Sequence, residues 1–135
     1  MIAIDASAIV AILTSEPDGA DLSARIGAQG SVSRVASTVT VWEASCAIAR
    51  QKGLSRREGL SLVEEYLALV DIRAVAPDQR ITALAVDAAE RYGRGIGYPG
   101  ILNLGDCFSY ATAKHLGASL LFKGDDFAKT DITPA

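Results

Sequence analysis

The sequence is poor in the side chains that most often carry chemistry outside carboxylates. It has one histidine (His115), two cysteines, one tryptophan and one methionine in 135 residues, and only 6% aromatics. A single histidine excludes a histidine-rich metal site. Cys46 and Cys107 follow no CxxC or zinc spacing, which excludes a disulfide framework and fits a reducing compartment. No apolar run approaches the ~20 residues that cross a bilayer. Met1-Ile-Ala-Ile-Asp5 lacks a basic segment and meets an acid at once, so it does not read as a signal peptide. A cytoplasmic protein with no membrane contact is expected. Basic charge is also short: 13 Lys and Arg against 16 Asp and Glu leave −3. That excludes a simple basic coat for nucleic acid. It does not exclude an enzyme acting on nucleic acid, because clustered catalytic carboxylates would themselves lower the total.

Half of the residues are apolar, and a chain of this length buries roughly 65–70% of its unfolded surface without staples. One domain over residues 1–135 is expected, with no repeat, linker or low-complexity segment. Ile2 to Asp5 reads as a short buried strand ending in an acid, with Ser7 as the N-cap of a helix over 8–13. Asp18 opens a helix to about Gln29, and 31–37 reads as a strand. A helix from Thr38 or Thr40 to Arg50 is stopped by Gly53. Ser55-Arg-Arg-Glu58 is a capping box before a helix over 60–70. A strand over 72–76 follows, then a helix led by Pro77 to about Tyr92. After a Gly-rich loop, Gly105-Asp106 opens a helix to Gly117. A strand over 119–122 and an edge strand near Ile132 complete the order. The alternation predicts an α/β fold: a three-layer α/β/α sandwich on a mostly parallel sheet of four to five strands. The helix pair between Thr38 and Val70 is an all-α insert in it.

In open α/β sheets, sites form beyond the carboxyl ends of the strands. Asp5 ends the first strand, and Asp125 and Asp126 follow a late one. Asp106 lies in the first turn of a helix, where the dipole favours its charge. Glu43 sits in Val39-Thr-Val-Trp42-Glu43-Ala-Ser-Cys46-Ala-Ile-Ala49, a helix apolar almost all round, where a carboxylate is costly unless paired or bound to metal. Each acid also has an ordinary structural role open to it: cap, turn residue, or partner of a buried Arg50. Together, acids from four separated segments form a site for a hard cation such as Mg²⁺ or Mn²⁺, which suits phosphoryl chemistry.

Four stretches carry a resemblance. Ile4-Asp5-Ala-Ser7-Ala-Ile-Val, Thr40-Val-Trp-Glu43-Ala, Leu102-Asn-Leu-Gly-Asp106-Cys-Phe-Ser-Tyr-Ala-Thr-Ala and Leu121-Phe-Lys-Gly-Asp125-Asp126-Phe127 resemble, in order, the motifs of PIN-domain ribonucleases, and most of all VapC-type toxins of toxin–antitoxin pairs. The resemblance implies Mg²⁺- or Mn²⁺-dependent RNA cleavage. Asp5, Glu43 and Asp106 match the first three family acids. The fourth lies between Asp125 and Asp126, with Asp125 favoured, so the implied catalytic and metal set is Asp5, Glu43, Asp106 and Asp125. Ser7 matches a small hydroxyl residue. Tyr98-Pro99 departs from the His-Pro expected in many close relatives. The implied substrate is a structured RNA such as tRNA or rRNA. The implied partners are a cognate antitoxin and a second copy in a homodimer. Arg34, Arg50, Lys52, Arg94 and Lys123 are the candidate RNA contacts on the rim.

Other signals carry less. Gly95-Ile-Gly97-Tyr-Pro-Gly100 follows a helix, not a strand, so it is no dinucleotide fingerprint. Cys107 and His115, eight residues apart on one helix, are ~12 Å from pairing. Cys46, Cys107 and Trp42 read as packing residues. A non-catalytic α/β signalling or binding module is the alternative. A receiver would need paired acids after its first strand, and this chain has only Asp5 there.

Overall fold

The structure, a computed structural model, describes all of residues 1–135. Four strands, β1 (Ile2–Ile4), β2 (Arg34–Ser37), β3 (Ile72–Val75) and β4 (Ser119–Leu121), form one sheet in the order β3-β2-β1-β4. Every pairing is parallel. Six helices connect them: α1 (Ala6–Leu13), α2 (Gly19–Ala28), α3 (Thr38–Lys52), α4 (Arg56–Leu69), α5 (Gln79–Tyr92) and α6 (Leu104–Leu116).

The strand period of two divides the core. Ile2, Ile4, Ala36 and Leu121 pack with α1–α4 on one side. The alternate positions Ala3, Val35 and Leu120 pack with α5 and α6 on the other. This is the expected three-layer sandwich. Beyond β4, the tail adds a parallel bridge between Leu120 and Pro134 rather than a full strand at Ile132. No helix is long and apolar enough to cross a membrane.

The topology positions the site. Strands β1, β2 and β3 are laid down in one direction, and the α5–α6 crossover then carries the chain back past β1 to β4. The order reverses between β1 and β4, the place where open α/β sheets form a crevice at their carboxyl ends.

Several boundaries differ from the sequence reading for local reasons. Asp5, not Ser7, is the N-cap of α1; Ser7 donates both its N–H and its hydroxyl to the Asp5 carboxylate. Strand β2 begins at Arg34, three residues later than expected. Pro77 lies outside α5, which Asp78 caps by accepting from the Ile81 N–H. Helix α6 begins at Leu104 under an Asn103–Asp106 capping box. The capping box of α4 and the left-handed Gly53 (φ 66°) that ends α3 are as expected.

Candidate metal centre

Asp5 is fixed from two directions. Its Oδ2 accepts from the Ser7 N–H at 2.9 Å and the Ser7 hydroxyl at 2.6 Å. Its Oδ1 accepts from the Ser109 hydroxyl on α6 at 2.6 Å. Ser109 also meets Thr40 Oγ1 of α3 at 3.0 Å. The Ser7 hydroxyl in turn accepts from the Lys123 N–H after β4 at 3.0 Å. One chain of hydroxyls therefore ties α1, α3, α6 and the β4 loop to a carboxylate that is only 3% exposed. Three short hydrogen bonds to a charged acceptor are a strong orienting device.

Asp106 lies at the third position of α6. Its Oδ2 accepts from the Asn103 N–H at 3.0 Å, while its own N–H donates to Asn103 Oδ1 at 2.8 Å. Burial pushes its pKa up to about 6, against the Asn103 hydrogen bond, with Asp5 and Asp126 adding repulsion and Arg94 opposing it. Glu43 is partly buried and has no ion-pair partner. Burial, then the charges of Asp5 and Asp106, push it up to about 7. Its carboxylate lies against the start of α6: a Cβ on Gly105 would sit 1.5 Å from Glu43 Oε2. Only glycine leaves that space.

Asp5, Ser7, Glu43, Asp106 and Asp126 line one cavity of about 260 Å³ at the carboxyl ends of β1 and β4. The sequence reading placed Asp125 in this set. Asp125 is exposed and does not line the cavity, whereas Asp126 is half-buried and does. The turn after Gly124 (φ 88°) turns the second acid of the pair inward. Glu16 and Lys123 complete the wall as an ion pair, with Asp18 at 3.9 Å from the Lys123 ammonium. Sequence reasoning passed over Ser109, Thr40 and Glu16. The spacing Asn103-x-x-Asp106 was a legible capping-box signal.

The donor set suits a hard cation. It offers carboxylate oxygens alone, as Mg²⁺ and Mn²⁺ prefer. Glu43 and Asp106 are driven up in pKa by burial and by neighbouring carboxylates, Asp5 and Asp106 on the one and Asp5 and Asp126 on the other. A cation would relieve that uncompensated negative charge. No three of the acids are drawn into a ready-made ligand cluster.

The candidate RNA contacts separate. Arg34 starts β2, an interior strand, at the amino ends of the strands and so away from the cavity, and its guanidinium donates to the carbonyls of Ile26, Gly30 and Val70. It ties the end of α2 to the end of α4 and is not available to a substrate. Arg50 and Lys52 are exposed on α3. Arg94 holds the Ile101 carbonyl and its charge acts on Asp106. Among the residues read as packing, Cys107 is buried, but Trp42 is 64% exposed. Helix α3 is therefore not buried all round.

The family description "PIN domain" matches residues 2–132. The chain belongs to the PIN-domain family. Its relatives include a VapC ribonuclease of Rhizobium meliloti, 38% identical over 96% of this chain and 97% of that one. Ribonuclease VapC42 of Mycobacterium tuberculosis is 41% identical over 98% and 97%. Among solved structures, the fold of this PIN domain matches Mycobacterium tuberculosis VapC20, described as a sarcin–ricin loop cleaving toxin. That match has a TM-score of 0.78 at 13% identity, covering 100% of this chain and 98% of that one. It also matches a toxin–antitoxin complex from Klebsiella pneumoniae, with a TM-score of 0.65 at 17% identity and the same coverage.

Proposed function

We propose that this PIN domain is a VapC-type endoribonuclease, the toxin of a toxin–antitoxin pair, dependent on Mg²⁺ or Mn²⁺. The observation that carries the reading is the acidic cavity at the β1–β4 switch point, in a chain about 40% identical to VapC ribonucleases over nearly its whole length. Asp5, Glu43, Asp106 and Asp126 would hold the cation, which supplies polarisation of the scissile phosphate and a nucleophile from water at neutral pH. The chain's own residues do the positioning. Ser7 and Ser109 aim Asp5, Asn103 aims Asp106, and Gly105 admits Glu43. Lys123, the one cation on the cavity wall and held there by Glu16, would offer its charge to the substrate phosphate.

The substrate class is a structured RNA such as tRNA or rRNA, and the partner is a cognate antitoxin. An antitoxin arginine entering the acidic cavity would silence the enzyme by competing for the same carboxylates. A homodimer is supported by the apolar cleft of about 500 Å³ between α5 and α6, where Val86, Ile96 and Leu104 are 57%, 67% and 69% exposed.

The test is cleavage of total cellular RNA with and without EDTA, beside Asp5→Asn and Asp106→Asn. Loss of cleavage with EDTA and in both variants is expected. Undiminished cleavage by both variants sinks the site assignment. Growth arrest on induction, relieved by co-expression of a cognate antitoxin, tests the toxin role.

A further inference from the structure

The acidic cavity carries one positive charge of its own. Lys123 lines it together with Asp5, Glu43, Asp106 and Asp126. A free ammonium there would be drawn to the carboxylates that a divalent ion needs. Burial and neighbouring carboxylates push Glu43 up to about 7 and Asp106 up to about 6, so a nearby cation is attracted to both. Lys123 is placed to reach them. Two hydrogen bonds through Ser7 Oγ, 3.0 and 2.6 Å long, separate its N–H from the Asp5 carboxylate. Its ammonium rides on a flexible four-carbon stem.

The structure shows the ammonium elsewhere. It pairs with Glu16 and lies 3.9 Å from Asp18 Oδ2. Both acids come from the tight corner between α1 and α2. The Glu16 N–H donates to the Ala11 carbonyl at 2.9 Å, and the Glu16 carbonyl accepts from the Gly19 N–H at 2.8 Å. A Cβ on Gly19 would lie 2.5 Å from the Ala11 oxygen, so the corner closes only on glycine. Glu16 therefore stands on well-fixed backbone. Asp18 is at the N-cap of α2, yet its side chain makes no capping hydrogen bond. Aspartate at that position ordinarily caps. Here its carboxylate lies beside the Lys123 ammonium instead.

We propose that Glu16, assisted by Asp18, is a positioning residue that anchors Lys123 away from the metal-binding acids and so keeps them open to the divalent ion. The assignment rests on the metal-centre reading above. It answers a problem internal to the chain: a cation on the cavity wall competes for the same carboxylates as the metal unless something stronger holds it. Stability alone does not account for the pair. Its side chains are 32% and 28% exposed, and ion pairs open to solvent add little to folding. Glu16 also puts a fifth carboxylate on a wall that already has four. A neutral pair of side chains would tie the corner to the β4 loop without that added charge.

The test is Mn²⁺ affinity without RNA, read from the paramagnetic resonance signal of the free ion. Wild type, Glu16→Gln, Lys123→Gln and the double variant are compared. Glu16→Gln releases Lys123 onto the acids and should weaken Mn²⁺ binding by about 10- to 100-fold, the range for removing a group that supports a metal site. Loss of one negative charge from the wall also weakens binding, so the double variant decides. With the anchor gone, Lys123→Gln should recover most of the lost affinity. With the anchor in place, the same substitution should change it little. Equal effects of Lys123→Gln in the two backgrounds describe independent fixed charges and overturn the inference. A larger effect in the wild-type background also overturns it, because Lys123 would then be restraining Glu16. Glu16→Asp, which keeps the charge on a shorter stem, should fall between wild type and Glu16→Gln. All the variants should melt close to wild type in EDTA. A clear loss of Tm in Glu16→Gln with unchanged Mn²⁺ affinity makes the pair a structural tie and overturns the inference. Wild-type protein that binds no Mn²⁺ is a separate result: it faults the metal-centre reading and removes the inference with it.

Discussion

Gly105→Ala should separate stability from metal binding. The added Cβ would lie 1.5, 2.6 and 3.1 Å from Oε2, Cδ and Oε1 of Glu43, and no backbone atom is among its three nearest neighbours. The clash is therefore with the far end of a flexible side chain, which rotates away while α6 stays in place. An alanine within a helix is favoured over glycine by up to about 1 kcal/mol. Displacing Glu43 also releases a carboxylate whose pKa is pushed up to about 7 by burial and by Asp5 and Asp106. From the ordinary value of 4.5, that corresponds to a penalty on the order of 3 kcal/mol for the charged form. Melting in EDTA at neutral pH should then be unchanged or higher. The cost falls on the site, which loses one oriented ligand. Disturbing a group that positions a metal ligand typically lowers affinity or activity by about 10- to 100-fold, or ~1.4–2.7 kcal/mol. Thermal melts in EDTA and in Mn²⁺, with initial cleavage rates, measure both sides. Because the substitution acts through Glu43, adding it to Glu43→Ala should cost nothing more. A Gly105→Ala protein with wild-type cleavage and Mn²⁺ response would refute the reasoning, as would one clearly destabilised in EDTA.

Four further outcomes are expected. Ser109→Ala removes one of the bonds on Asp5 and leaves the Thr40 hydroxyl without its partner; it should cost about 1–3 kcal/mol of stability and lower cleavage, read by denaturant melts and rates. Asp126→Asn should reduce cleavage strongly while Asp125→Asn leaves it near wild type, and the reverse order would return the fourth acid to Asp125. Glu43 and Asp106 hold protons more tightly folded than unfolded, so stability in EDTA should fall as pH rises from their ordinary values of 4.5 and 3.8 through about 7 and about 6. Mn²⁺ should raise the Tm above that window and little below it, and a Tm in EDTA that does not fall across it would refute the account. Asp131 has the opposite sign: the Tyr110 hydroxyl, with Lys114 and Arg91, holds it down to about 2, so its contribution is full above 3.8 and is lost as pH falls through about 2. Discounted for its 46% exposed side chain, Asp131→Asn should cost about 1 kcal/mol at neutral pH, measured by urea titration.

The layered architecture was legible because it is written in local patterns. The alternation of Ile2, Ala3 and Ile4, the capping box at Ser55 and Glu58, and the stop at Gly53 each act over a few residues. Asp5, Glu43 and Asp106 were legible as acids at strand or helix ends or in an apolar helix. What escaped depends on tertiary geometry. Asp125 and Asp126 differ only in which way a turn aims them. Trp42 reads as a packing residue from the usual burial of its residue type, but the core takes only the Thr40–Ala44–Ile48 side of α3. Arg34 reads as a rim residue from its charge alone, although three carbonyls claim it at the amino ends of the strands, opposite the cavity. Ser109 carried no signal at all, since its role lies in a bond to a residue 104 positions away.

The central claim is that the cavity between Asp5, Glu43, Asp106 and Asp126 holds the divalent ion. An anomalous difference map at the manganese edge, from crystals soaked in Mn²⁺, tests it most directly. The account predicts density inside that cavity, within coordination distance of Asp5 and Asp106, and its loss in Asp5→Asn. A map with no peak there, or with manganese bound only at carboxylates elsewhere on the surface, would contradict it.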